Sequence, residues 1–121
     1  MDISYKGTQY DLPELVTERT SSKLQTIRKY LGEYDDTTHV YVELGKETIA
    51  HQSGEIWFAD ATVASNGENF RARAVEENID NAVDRMIDEL SKEIRRSKEK
   101  DRSLIRKGGL AIKNMMRGMR G

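Results

Sequence analysis

Cysteine is absent from the 121-residue chain, which excludes a disulfide framework and a thiolate metal site. Only two histidines occur, His39 and His51. Neither has neighbours at ligand spacing, so both read as surface residues and no metal or cofactor is expected. The longest apolar runs span a few residues, far short of the roughly 20 that a membrane helix needs. The N-terminus opens on Asp2 and alternating polarity, not on a basic stretch followed by an apolar one. No secretory signal is therefore expected, and the simplest placement is the cytoplasm. No Gly-x-Gly-x-x-Gly occurs, and no glycine run leads into Lys-Ser or Lys-Thr, so a phosphate loop is excluded. The acids of residues 1–90 are scattered, with no pair marked out for acid–base work, so an enzyme is not expected.

What remains is charge. Charged residues make up 34% of the chain and hydrophobic residues 36%, lean but sufficient for one domain. The net charge of −1 conceals a division. Residues 1–90 hold nine Lys/Arg and eighteen Asp/Glu, a net of −9. Residues 91–121 hold eleven Lys/Arg and three Asp/Glu, a net of +8. A basic arm on an acidic body suggests a polyanionic partner.

Hydrophobic periodicity places the elements. Ile3 and Tyr5 alternate with polar neighbours until Gly7, a short half-buried strand. Asp11 and Glu14 flank Pro13 as a helix-start signal, with Asp11 as the expected cap. Leu12, Val16, Leu24, Ile27 and Leu31 follow at helical spacing to Gly32, so the first helix is expected over roughly 12–31. Val40, Val42 and Leu44 alternate as a strand, and 45–54 is expected to be a polar hairpin loop. A second long strand covers 55–64, with Trp57 expected on the core side together with Ala59, Ala61 and Val63. Asn66-Gly67 is a strong two-residue hairpin signal, and Phe70, Ala72 and Ala74 mark the returning strand. Asn78 is a good helix cap. Beyond it, Ile79, Val83, Met86, Ile87, Leu90 and Ile94 form one apolar stripe.

The stripe stops at Ile94, but nothing breaks the helix before Gly108-Gly109. A helix over 78–102 is expected, about 37 Å long, with residues 104–121 as a flexible basic tail rich in Met, Gly and Arg. The expected fold is α+β: a βαβββα two-layer sandwich, with two helices on one face of a four-stranded, mainly antiparallel sheet. Residues 1–103 form the domain. The other sheet face is left open to solvent.

The candidate binding residues are basic. Lys92, Arg96 and Lys100 share one face of the second helix, with Arg95 and Arg102 close by and Lys98 in the same turns. Such a stripe can contact several phosphates and release their counterions. The tail adds Arg106 and Lys107. Arg71 and Arg73 share the solvent face of a strand, and Lys23 and Lys29 lie on the polar face of the first helix. Tyr41 and Trp57 are aromatics able to stack on bases if the open sheet face is used. The bland alternatives are a solvated helix end laced by Glu99 and Asp101, and an ordinary polar strand face.

The order of elements and the second helix resemble the ribosome hibernation-promoting factor family of ribosome-associated inhibitors. The likeness covers residues 1 to about 100. It rests on Val83-Asp84, then Met86, Ile87 and Asp88, then Leu90, then Lys92-Glu93-Ile94 with Arg96 and Lys98. Lys29, Tyr30 and Leu31 match the end of the first helix. Two departures stand out. Asp80 replaces an aromatic, and Glu93 replaces a Gln, adding a negative charge to the proposed face. The resemblance implies a fold like the double-stranded-RNA-binding domain. It implies occupancy of the decoding cleft of the small ribosomal subunit, where messenger and transfer RNA sit, with translation blocked without catalysis. The matched basic positions are Lys92, Arg96 and Lys98, with Arg95 beside them. The chain's length implies the short type, without the domain that joins two ribosomes. No membrane and no small-molecule substrate are expected. Two other classes stay open: a general structured-RNA-binding module outside the ribosome, and a non-RNA interaction protein with a basic docking tail.

Overall fold

The computed structural model describes residues 1–47 and 56–120, with the side chains of 101–120 outside the description. Four strands, β1 (Asp2–Thr8), β2 (His39–Glu47), β3 (Ile56–Ser65) and β4 (Glu68–Glu76), form one sheet in the order β1-β2-β3-β4. β1 pairs parallel to β2, and β2, β3 and β4 form an antiparallel meander. The parallel pair follows from the connection, since the chain returns to the sheet through a helix rather than a tight turn. The βαβββα order and the α+β class expected from periodicity are therefore present.

Alternation sorts the two sheet faces. Val40, Val42, Leu44, Ala59, Ala61, Val63, Phe70, Ala72 and Ala74 lie in the buried cluster. The helices cover this face, and α2 (Ile79–Arg120) supplies Ala82, Val83, Met86, Ile87, Leu90 and Ile94 to it. Trp57 shares their parity but is only half-buried, its ring edge-on to Tyr10 at 4.8 Å. It lies outside the buried cluster, against Tyr10 and the Lys46 ammonium, and does not fill the core.

The first helix differs from its expected form. Regular α-helix, α1, covers Glu14–Leu24, and two 3-10 turns follow at Gln25–Tyr30 and Gly32–Thr37. In a 3-10 turn residues three apart share one face. The tighter winding thus turns Leu24, Ile27 and Tyr30 toward the core together, and the first two are fully buried. Nor does Asp11 cap the helix: the cap position is Pro13, with no side-chain cap bond, and its carbonyl accepts the Val16 and Thr17 N–H groups at 3.0 and 3.2 Å. Asn78 does cap α2, its side-chain oxygen accepting the Asn81 N–H at 2.8 Å.

α2 is longer than its apolar stripe. It keeps helical backbone to Arg120, past the glycine pair at which the sequence ends it. Each interior glycine costs about 1 kcal/mol relative to alanine, a penalty that removes no backbone donor. At ~1.5 Å per residue the 42-residue helix is about 63 Å long, roughly twice the length of the strands beneath it.

Asn66 and Gly67 both have positive φ, 50° and 75°. This is the tight-turn geometry that the Asn-Gly pair signals. Gly45 corrects another expectation. It lies inside β2, opposite Thr8 and Phe58, and is not the start of a loop; most of the loop expected over 45–54, with His51, lies outside the described residues. A Cβ at position 45 would stand 2.2 Å from the Thr8 carbonyl oxygen and 3.0 Å from the Phe58 ring. Backbone cannot yield there cheaply, so Gly45→Ala should destabilise the protein by about 2 kcal/mol in urea unfolding.

The second 3-10 turn is tied back by Arg28, whose Nε and Nη2 donate to the two Asp35 oxygens at 2.9 and 2.5 Å. This hydrogen bonding, reinforced by the guanidinium charge, holds the Asp35 carboxyl below its ordinary 3.8. A carboxylate depressed in the folded state stabilises fully above its unfolded pKa, and the gain is lost as pH falls through the folded value. Asp35→Asn should therefore lower the Tm at neutral pH, and the gap from the parent should close in acid, as read by thermal melts across a pH series.

Candidate nucleic-acid interface

The basic residues of α2 stand where the helix outlasts its core. Leu90 and Ile94 are fully buried against the sheet. They fix the rotation of the helix, and the residues that follow inherit that orientation. Arg95, Arg96 and Lys100 are exposed, and none has an ion-pair or hydrogen-bond partner among the described residues. Lys92 is half-buried and bridges to Asp88 at 3.0 Å, one turn back. Lys98 turns the other way, its ammonium 5.8 Å from the centroid of the Tyr34 ring.

An open groove of 600 Å³ runs where α2 leaves the end of β4, lined by Glu68, Asn69, Glu93, Arg96, Ser97 and Lys100. Glu93 thus shares this groove with Arg96 and Lys100. The side chains of Arg102, Arg106 and Lys107 are outside the described residues, although their backbone continues the same helix.

The remaining candidates are distributed elsewhere. Lys23 is tied across the helix layer to Asp84, beside an Arg19–Asp80 bridge at 3.5 Å. Lys29 is exposed, with its ammonium 5.1 Å from the Tyr30 ring centroid. Arg71 and Arg73 are on the sheet face opposite α2, so the structure does not gather them with the helix cations. Arg71 donates through Nε and Nη2 to Asp60, at 3.3 and 2.8 Å. These hydrogen bonds, with the carboxylate charge behind them, raise its pKa further. Arg73 pairs with Glu47, reaches Asp60 at 3.5 Å and stacks over Phe58 at 4.4 Å.

Asp60, only 7% exposed, is the organiser of that face. It was not among the residues singled out by sequence. The available signal was an acid in the middle of an otherwise apolar strand, opposite two arginines in the next strand. Among the described residues no group of three or more His, Cys, Asp or Glu is placed to hold a metal, and no helix is long and apolar enough to cross a membrane.

These features define a small α+β sheet-and-helix protein with one extended basic helix end. A solved structure described as the N-terminal domain of Thermus thermophilus Protein Y has the same fold. It superposes with a TM-score of 0.65 at 20% identity, over 79% of this chain and 98% of that one. A ribosomal subunit interface protein from Coxiella burnetii superposes with a TM-score of 0.66 at 19% identity, over 82% and 99%. In sequence, the ribosome hibernation promoting factor of Escherichia coli K12 is 28% identical over 100 residues, which are 83% of this chain and 96% of the relative. The factor of the same name from Salmonella typhimurium matches over the same shares at the same identity. The chain belongs to the sigma 54 modulation protein / S30EA ribosomal protein family, whose pattern matches residues 3–102. The resemblance drawn from the second helix thus holds at the level of family and fold.

Removing the Asp60 charge tests the electrostatic division of the surface. Asp60→Asn leaves two exposed guanidiniums without their shared carboxylate. The variant should melt at a lower temperature than the parent, and it should bind RNA non-specifically more tightly at low salt, as read by filter binding.

Proposed function

We propose that this protein is a ribosome-binding translation inhibitor of the hibernation type. On this reading it occupies the decoding cleft of the small subunit and silences or protects idle ribosomes. The observation that carries the reading is the exposed cation set Arg95, Arg96 and Lys100, without ion-pair partners among the described residues, on a helix end held rigid by Leu90 and Ile94. Family membership and the names of the relatives point to the ribosome as the polyanion.

The physics of the act is occlusion. Phosphates of small-subunit RNA supply most of the affinity, through the helix end and the basic residues beyond it. Shape complementarity then selects the site. Lys92, Arg95, Arg96, Lys98, Lys100 and Arg102 are the core of the contact, with Arg106 and Lys107 continuing it. Residues 104–121 act as a separable basic arm that follows the RNA. Lys23, Lys29, Arg71 and Arg73 serve as outlying contacts, weaker because three of the four share their charge with a neighbouring acid. Nothing is transformed, and neither cofactor nor metal takes part. The acidic body disfavours RNA elsewhere on the surface, so the charge division orients the protein as well as attracting it. The protein works in the cytoplasm, where ribosomes are.

The test is co-sedimentation with small subunits across a salt series. Reversing Arg95, Arg96 and Lys100 to Glu should weaken binding by at least tenfold and flatten the log–log salt slope by about one unit per lost phosphate contact. An unchanged slope would remove this helix face from the interface. Failure of the parent to sediment at low salt would remove the function. Free duplex RNA bound as tightly as ribosomes would favour a general RNA-binding module instead.

A further inference from the structure

The uncovered sheet face carries a row of side chains that the helix interface does not use. Ser4, Tyr41, Thr62 and Arg71 are directly opposite one another across all four strands. Neighbouring strands are about 4.8 Å apart, so the row crosses the sheet in roughly 15 Å. Tyr41 is 54% exposed, a large ring left in water in the middle of a sheet. It rests against His39, with centroids 4.3 Å apart and planes tilted by 39°. His39 Nε2 is in turn 2.9 Å from the Ser4 hydroxyl. The tyrosine is thus propped from one side, with its ring restrained.

Beside it is a hollow of 430 Å³, bordered by Lys6, Tyr41, Glu43, Asp60, Thr62 and Arg71. That volume suits one ligand-sized group. The rim holds two cations and two carboxylates, so it is close to neutral and offers hydrogen-bond donors and acceptors together. A phosphate would meet Glu43 and Asp60 and be repelled. An aliphatic group would find a rim of Lys6, Glu43, Asp60, Thr62 and Arg71, charged or hydroxylic throughout, with the Tyr41 ring as its one large apolar surface. A flat heteroaromatic ring with mixed donors and acceptors satisfies both the exposed tyrosine and the polar rim. Arg71 spends Nε and Nη2 on Asp60, which fixes its plane and leaves further N–H groups to donate outward.

We infer that this face holds one unpaired RNA base, stacked on Tyr41 and edged by Thr62, Glu43 and Arg71, on the side of the sheet opposite α2. The inference rests on the reading that RNA is the partner, and it adds a second, chemically different contact. The helix end takes phosphates; the sheet takes a base. Stacking of this kind tolerates any sequence, since every base has a π-face.

The experiment uses the full chain, a fluorescent single-stranded RNA hexamer of mixed sequence, a duplex RNA of equal charge, and small ribosomal subunits. Tyr41→Ala should weaken binding of the single strand on the order of tenfold, with duplex binding and thermal stability unchanged. Tyr41→Phe should bind as the parent does. Equal hexamer affinity for parent and Tyr41→Ala would overturn the site, as would a loss in Tyr41→Phe matching that in Tyr41→Ala. A free mononucleotide bound as tightly as the hexamer would assign the hollow to a small molecule and overturn the RNA assignment. The two readings fail separately. A parent that ignores ribosomes but binds the hexamer through Tyr41 loses the ribosomal function and keeps this site. A parent that sediments with ribosomes but is indifferent to Tyr41 keeps the function and loses this site.

Discussion

The apolar stripe of α2 against β3 and β4 is the contact on which the rest depends. Met86, Leu90 and Ile94 are completely buried there, and burying each is worth roughly 1.5–3 kcal/mol. That contact sets the rotation and direction of a helix that then runs beyond the sheet. Because a helix is stiff over a few turns, Arg95, Arg96 and Lys100 are aimed by the buried residues of the turns before them. The bridges from Lys23 to Asp84 and from Arg19 to Asp80 hold the helix layer together from the side, but exposed pairs of this kind contribute little. Hydrophobic packing does the aiming.

The distribution of acids is as informative as that of bases. Asp60, Asp84 and Asp88 each occupy a cation that the sequence offered for binding: Arg71, Lys23 and Lys92. Past Ile94 the acids thin out, and among the described residues Arg95, Arg96 and Lys100 are exposed without an ion-pair partner. A surface that neutralises most of its positive charge and exposes it at one end has a direction. The same neutralisation gives the open sheet face its balanced rim, and so a different kind of chemistry from that of the helix end.

Much of this was legible in the residues. Period-two alternation at Val40, Val42 and Leu44, the Asn66-Gly67 turn and the Asn78 cap are local signals, and local physics decides them. The family was legible through the second helix, where core spacing and charge occur in one segment. What stayed hidden was decided by tertiary contact. The 3-10 winding after Leu24 exists to bring Ile27 and Tyr30 onto the core. Gly45 carries a turn signal in sequence because its role, a close approach to Thr8, belongs to another strand. The pairing of Arg71 and Arg73 with Asp60 needed the β3–β4 register, and the position of Trp57 at the rim needed Tyr10.

The parallel pairing of β1 has a kinetic side. The β2–β4 meander is built from near neighbours in sequence, whereas Asp2 meets His39 only after the first helix and both 3-10 turns have been looped out. Non-local closure of that kind is slow and comes after local pairing. β1 and β4 are the two edge strands, but α2 packs along β4, so β1 is the strand that can detach while the meander and α2 stay formed. Ser4 departs with it, and with Ser4 goes the hydroxyl beside His39. The order of the aromatic pair on the open face is thereby coupled to the fraying of the first strand, and amide exchange at β1 reports on both.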